Sequence, residues 1–161
     1  MSNVRRHEEP PMLLPTLTNW RSQFERLKRS YARVTGAYQS SIEFDDDLHH
    51  FMQDCWHLKD WIRNDPSAGI GVAIEAHVDS YKSLRIAADL ANGSKHLLRR
   101  THREGAHVTS IGVTAHFGQS KPIEVECTVT LADGSTVPVL TVVHETFADW
   151  NELLAKIGLN P

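Results

Sequence analysis

The sequence predicts an α+β fold, in which an N-terminal antiparallel bundle of about four helices is followed by a small three-stranded antiparallel sheet and a C-terminal helix. Three observations predict it. Apolar residues recur at every third or fourth position as far as about residue 100, which is the helical period. After Gly105 they alternate with polar residues, as in strands with one buried face. Near the C-terminus the helical spacing returns.

The chain divides into three segments. Residues 1–15 read as an extended lead-in, 16–104 as the helical bundle, and 105–161 as the sheet with the last helix, packed as one unit with the bundle. A chain of 161 residues is long enough to bury the core of one ordinary domain.

Composition bounds the function. With a net charge of −3 and a pI near 6.3, the protein is not basic overall, so its total charge does not favour nucleic-acid binding. No segment approaches the roughly 18 continuous apolar residues that span a bilayer, and the N-terminus has no hydrophobic signal core. The two cysteines, Cys55 and Cys127, read as small buried hydrophobes. We therefore expect a cytoplasmic protein that does not contact a membrane.

The first helix follows the lead-in, with Thr16 or Thr18 as its N-cap. Its outer face is basic, and its end lies near Gly36. The apolar stripe of this helix consists of Leu17, Trp20, Phe24, Leu27, Tyr31 and Val34.

A loop over residues 39–47 precedes the second helix, which we expect from about Asp46 to Arg63. The acidic residues that precede it suit the positive end of a helix, and Pro66 lies beyond its end. The core stripe of this helix consists of Leu48, Phe51, Cys55, Leu58 and Ile62.

Residues 70–79 fit a short helix better than a strand. Another helix follows from about Ser80 to Ala91 and continues or restarts to about Arg100. Gly93 costs about 1 kcal/mol inside a helix relative to Ala. It therefore either ends this helix or makes room for a neighbour.

The strands are predicted over residues 108–117, 123–131 and 137–143. Asp133-Gly134 is typical of a tight hairpin turn between the last two, and Pro138 indicates an edge or irregular position. The last helix is expected from about Thr146, with Gly158 as its stop. Its apolar stripe consists of Phe147, Trp150, Leu153, Leu154 and Ile157.

Two polar stretches, 54–62 and 88–97, are the candidate site. His57 and Asp60 are i, i+3 neighbours beside the core stripe of the second helix, where they are able to hydrogen-bond. Asp89, Asn92 and His96 recur at 3–4 spacing along one side of the later helix. One interpretation is an acid/base site, since a histidine titrates near neutral pH. The other is a structural hydrogen-bond network or a solvated helix face.

The segment from residue 95 to 103 is locally basic. It carries Lys95, Arg99, Arg100 and Arg103. Such a cluster is usually a solvated helix end, but it is also a candidate contact for an RNA or phosphate backbone. The ten histidines are scattered and no pair forms an HxxxH or HExxH arrangement, so the sequence predicts neither a metal nor a cofactor.

The two stretches, CWHLKDWI and ADLANGSKHL, resemble a signature shared by a set of bacterial and phage proteins that brings no activity with it. The helical half is also similar to HEPN helical bundles, many of which are ribonucleases or nucleotide-binding partners. Their motif is an arginine, a polar residue and then a histidine, and two protomers join their motifs in a dimer. Asn92 and His96 match the last two positions, whereas Ala91 occupies that of the arginine.

Two functions are compatible with these patterns. The first is a HEPN-like protein that processes RNA or binds nucleotides as a homodimer. In it His96 is the general base or a phosphate contact, and Asp89 and Asn92 orient it. His57 and Asp60 are a second acid/base pair from the facing helix, and the basic segment holds the backbone. The second is a non-catalytic module that binds a protein partner and in which the same residues form a structural network. A metal-dependent bundle enzyme fits less well, because it draws on Glu-x-x-His patterns and neither of the two polar stretches contains one.

Overall fold

The structure is a computed structural model that describes residues 19–38, 40–93, 107–114 and 124–161. It is a mostly helical α+β fold with a small antiparallel sheet, which confirms the predicted class. The described helices are α1 (Trp20–Val34), α2 (Ser41–Asn64), α3 (Ile74–Asp79), α4 (Lys82–Gly93) and α5 (Val139–Lys156). The described strands are β1 (His107–Thr114), β2 (Glu124–Thr130) and β3 (Thr136–Pro138). Two short 3-10 turns, Pro66–Ala68 and Gly71–Ala73, connect α2 to α3.

The predicted helical stripes form the core. Trp20, Phe24 and Leu27 of α1 are completely buried, as are Phe51, Leu58 and Ile62 of α2. In α5, Trp150, Leu153 and Leu154 are buried as well. The periodicity therefore identified the inward side of α1, α2 and α5 correctly.

Helices α1 and α2 pack as an antiparallel pair. Ion pairs link them at two levels, Arg26 with Asp54 and Arg33 with Asp47, each at 3.0 Å. On its opposite side α1 contacts α5, where the ring of Tyr31 stacks on that of Phe147 with centroids 4.0 Å apart. Helix α1 is thus held from both sides, which fixes the direction of its outer face.

The two helix starts differ from the prediction. Asn19 caps α1, since its Oδ1 accepts a hydrogen bond from the Ser22 amide at 3.0 Å, and Thr16, Thr18 and Leu17 lie outside the described residues. Ser40 caps α2 by accepting from the Glu43 amide, so residues 41–47 are helical rather than a loop. The acidic run was interpreted as preceding the helix, but it lies within its first two turns, where it still suits the positive end of the dipole.

Helix α4 occupies the centre of the fold. Residues 86–91 are buried without interruption, and the helix packs against α2, α3, α5 and β1. Three of these six residues are alanines, whose small side chains let neighbouring elements approach closely. Ser83 and Tyr81 also tie this region to α5, through Asp149 and Glu152 respectively.

The sheet is centred on an antiparallel pairing of β1 with β2, in which Ile111 lies opposite Cys127. Three residues of β3 pair with the other side of β2, with Val137 opposite Val129. Asp133 and Gly134 form the predicted turn, because the Leu131 amide donates to the Ser135 carbonyl at 2.9 Å. Gly134 has a φ of 81°, which favours glycine there.

The predicted strand over 137–143 was wrong beyond residue 138. The helix begins at Val139 rather than near Thr146, and Pro138 immediately precedes it. Val139, Val142, Val143 and Thr146 are buried on the same helical side as Trp150. Their β-branched side chains favour a strand locally, but burial of this stripe against the rest of the core outweighs that preference. Gly158, with a φ of 75°, ends the helix as expected.

Asp65 joins the end of α2 to the start of α1. Its carboxylate accepts hydrogen bonds from the backbone amides of Trp20 at 3.0 Å and Ser67 at 2.8 Å. These bonds favour the ionised form and lower the pKa of Asp65 below its ordinary value of 3.8. The group therefore stabilises the fold above that value, and its contribution is lost as the pH falls through the folded-state pKa.

We expect Asp65→Asn to flatten the acid limb of the stability profile, because the neutral amide binds no proton between about pH 5 and pH 2. The measurement is urea unfolding at a series of pH values for the wild type, Asp65→Asn and the control Asp46→Asn, which removes one exposed carboxyl from α2. An acid limb as steep in Asp65→Asn as in the wild type would contradict this assignment.

Candidate functional site

The candidate residues lie on two helices that pack against each other. His57 and Asp60 are on α2, and Asp89 and Asn92 are on α4. Between the helices, Cys55 and Trp56 face Leu84 and Ala87 across a gap with no room for water. His96, Lys95, Arg99, Arg100 and Arg103 lie outside the described residues, so their predicted roles stay predictions.

The described candidates differ in exposure. Asp89 is 1% exposed, whereas His57 and Asn92 are half-buried. Both His57 and Asp89 have interaction partners. From the spacing, the polar side of α4 was interpreted as a possible solvated face. The burial of Asp89 shows that this side is enclosed around residue 89.

Asp60 is engaged by a residue that the sequence did not single out. Its Oδ1 lies 2.5 Å from Nζ of Lys59, and its backbone carbonyl accepts from the side-chain amide of Asn64 at 2.8 Å. The side chain of Asp60 is 46% exposed. The carboxylate of Asp60 is thus already paired with a cation of its own helix.

Lys59 is the buried charge of the first stretch, with a side chain only 7% exposed. Its Nζ lies 3.2 Å from Oε1 of Glu75 on α3 and 4.2 Å from the ring centroid of Trp56. Two carboxylates and an aromatic face together replace the water that a buried ammonium loses. Lys59 therefore fastens α3 to α2.

Asp54 has a corresponding role on the other side of α2. It is 2% exposed and pairs with Nε of Arg26 at 3.0 Å. The buried side chain of Gln23 donates to its backbone carbonyl at 3.2 Å. Both partners belong to α1, so this network fastens α1 to α2. Asp54 opens the first polar stretch, but its partners were not predictable from spacing.

A surface pocket of about 370 Å³ lies where α2 ends and α1 begins. Its lining residues are Asn19, Asp60, Trp61, Asn64, Asp65 and Pro66. Asn19 caps α1, both oxygens of Asp65 accept backbone amides, and Asp60 pairs with Lys59. The polar groups of this pocket are thus already committed to helix ends and to the Lys59 network.

The two thiols are not available for chemistry at neutral pH. Burial raises the pKa of Cys55 well above its ordinary value and that of Cys127 to about 11. A thiol is a poor nucleophile unless it is ionised. Both cysteines therefore act as small apolar residues of the core, as their positions in the apolar patterns predicted.

The part of the chain that the structure describes contains no group of three histidine, cysteine, aspartate or glutamate side chains placed to hold a metal ion. None of its helices combines the length and the apolar character needed to cross a membrane.

Comparisons of this chain with protein-family models, with curated proteins and with solved structures found no significant match.

We expect Lys59→Ala to lower the free energy of unfolding by roughly 2–3 kcal/mol, because the change removes charge-assisted hydrogen bonds to Asp60 and Glu75 and empties a buried position. The control is Lys156→Ala, which removes an exposed lysine from the last turn of α5. Urea unfolding measures both. Equal, small losses in the two variants would show that Lys59 does not fasten α3 to α2.

Proposed function

We propose that the protein is a non-catalytic binding module, in which the polar residues of the two stretches hold the helices together and a partner binds on an outer helix face. In this proposal the chain is a bundle of about four helices, followed by a three-stranded sheet and the C-terminal helix. A rigid scaffold of this kind presents a surface without reorganising, which lowers the cost of binding.

The observation that carries the proposal is the pairing of Lys59. The buried cation of the first stretch is tied to Glu75 of another helix and to Asp60, the expected acid of the candidate site. Asp54 in the same stretch is tied to α1. Buried charges that are fully paired across helices are typical of structural networks, since breaking one partner is costly.

The experiment compares wild type with His57→Ala and with the matched control His50→Ala, an exposed histidine on the same helix. Each is assayed for thermal unfolding and for cleavage of labelled RNA. We expect no cleavage of RNA by the wild type. We also expect the free energy of unfolding to fall by about 1–3 kcal/mol in His57→Ala but not in His50→Ala, because His57 is half-buried and has interaction partners. Cleavage that disappears in His57→Ala at unchanged stability would overturn the proposal.

A second candidate is HEPN-like RNA processing or nucleotide binding by a homodimer. The observation that favours it is that Asp89 and Asn92 lie on a helix packed directly against the helix of His57. In this reading His96 is the general base, and Lys95, Arg99, Arg100 and Arg103 hold the RNA backbone.

This second candidate predicts RNA cleavage in the presence of a metal chelator, since the HEPN resemblance requires no metal. Cleavage should fall by at least about 100-fold in His96→Ala. It should also weaken when the four basic residues are replaced by alanine. A wild-type protein that leaves RNA intact under these conditions excludes the candidate.

A further inference from the structure

We propose that the outer face of α1 binds the phosphate backbone of a single-stranded nucleic acid. The proposal rests on the proposed function as a binding module and names the class of its partner. Helix α1 carries five basic side chains against one acidic side chain, a net charge of +4, whereas the whole chain has a net charge of −3. The basic residues are Arg21, Arg26, Lys28, Arg29 and Arg33.

The packing of α1 directs these side chains outward. Trp20, Phe24 and Leu27 are completely buried between the neighbouring helices, which fixes the rotation of α1 about its axis. All five basic residues are exposed. At 1.5 Å per residue, the basic residues from Arg21 to Arg33 extend along about 18 Å of α1 and around a little less than half of its circumference.

Two of the arginines are oriented in a way that suits phosphate binding. Arg26 and Arg33 each contact a carboxylate of α2 through Nε, at 3.0 Å, and each side chain is 49% exposed. A guanidinium has five N–H donors in a planar fork. A contact through Nε restrains the group, which carries further N–H donors on its two terminal amino groups. Such pre-ordered donors match the oxygens of a phosphate.

The character of this face favours nucleic acid over the other partners of a charged surface. Protein interfaces are depleted of charge at their centre, and the large apolar side chains exposed in the described residues, Ile42, Val72 and Leu140, lie outside α1. A helix that binds a membrane inserts its apolar side, but the apolar side of α1 is buried in the core. Interfaces with nucleic acid are polar and strongly positive.

The neighbouring helix favours a single strand over a duplex. Helix α2 lies beside α1 and carries six acidic side chains against two basic ones. Three of the acidic residues, Glu43, Asp45 and Asp46, are exposed or half-buried at its start. A duplex bound to α1 is wide enough for the phosphates of its second strand to lie over these carboxylates, and the two sets of negative charges repel. A single strand can follow α1 alone.

The experiment measures binding of a labelled oligouridylate of about 20 nucleotides by fluorescence anisotropy at several salt concentrations. Wild type is compared with the triple variant Arg21→Ala, Lys28→Ala, Arg29→Ala, which leaves Arg26 and Arg33 to stabilise the fold. The matched control is Arg63→Ala, Lys82→Ala, Lys156→Ala, which removes the same charge from exposed positions on α2, α4 and α5. Melting temperatures establish that both variants are folded.

We expect the α1 variant to bind at least about tenfold more weakly at low salt, and the slope of log affinity against log salt to fall by roughly 2, because each lost phosphate contact contributes about 0.7 for a single strand. The control should remain within about twofold of wild type. The proposal is overturned if wild type does not bind, if both variants lose the same affinity, or if a duplex of equal length or phosphatidylserine vesicles bind more tightly than the oligouridylate.

These outcomes are distinct from failure of the proposed function. RNA cleavage that requires His57 would overturn the proposal of a non-catalytic module. Whether α1 binds nucleic acid would then still be tested by the affinity of the triple variant. Conversely, loss of the α1 contact would leave the structural role of the Lys59 network intact.

Discussion

The burial of α4 on all sides is the constraint on which the rest of the structure depends. Six consecutive residues, 86–91, are buried, and a helix achieves this only when neighbours cover its whole circumference. Alanines at 87, 88 and 91 let α2, α5 and β1 approach closely. Because α4 fills the centre, α1 remains on the outside, held between α2 and α5. The same arrangement that encloses Asp89 therefore leaves the basic face of α1 open to solvent.

Charged groups buried among these helices connect one helix to another. Lys59 joins α2 to α3, and Asp54 joins α2 to α1. The pairs stabilise the particular arrangement of the helices, because any shift that separates them leaves a charge without water or a partner. This accounts for polar residues within apolar stretches without requiring chemistry at them. It also separates the core network from the surface where a partner binds.

The sequence was sufficient to predict the α+β class and the inward stripe of each long helix, since both follow from periodicity that only burial explains. The sequence was insufficient where contacts between distant parts of the chain determine the secondary structure or the burial of a charged side chain. Residues 139–143 have strand propensity, yet they continue the buried side of α5. Lys59 reads as a solvated lysine until Glu75 is brought beside it from another helix. Spacing likewise put Asp89 on a polar side, and only the packing of α4 shows that it is enclosed. The predicted roles of His96 and the basic segment concern residues beyond the described ranges.

The measurement that tests the central claim most directly is the stability of Asp89→Asn together with its RNA-binding affinity and any RNA cleavage. The substitution keeps the shape of the side chain and removes its charge. If the buried carboxylate is part of the network around α4, the free energy of unfolding falls by about 1–3 kcal/mol while the folded variant binds the oligouridylate as wild type does. Unchanged stability with loss of an RNA-cleaving activity present in the wild type would contradict the account and identify the two stretches as a catalytic site.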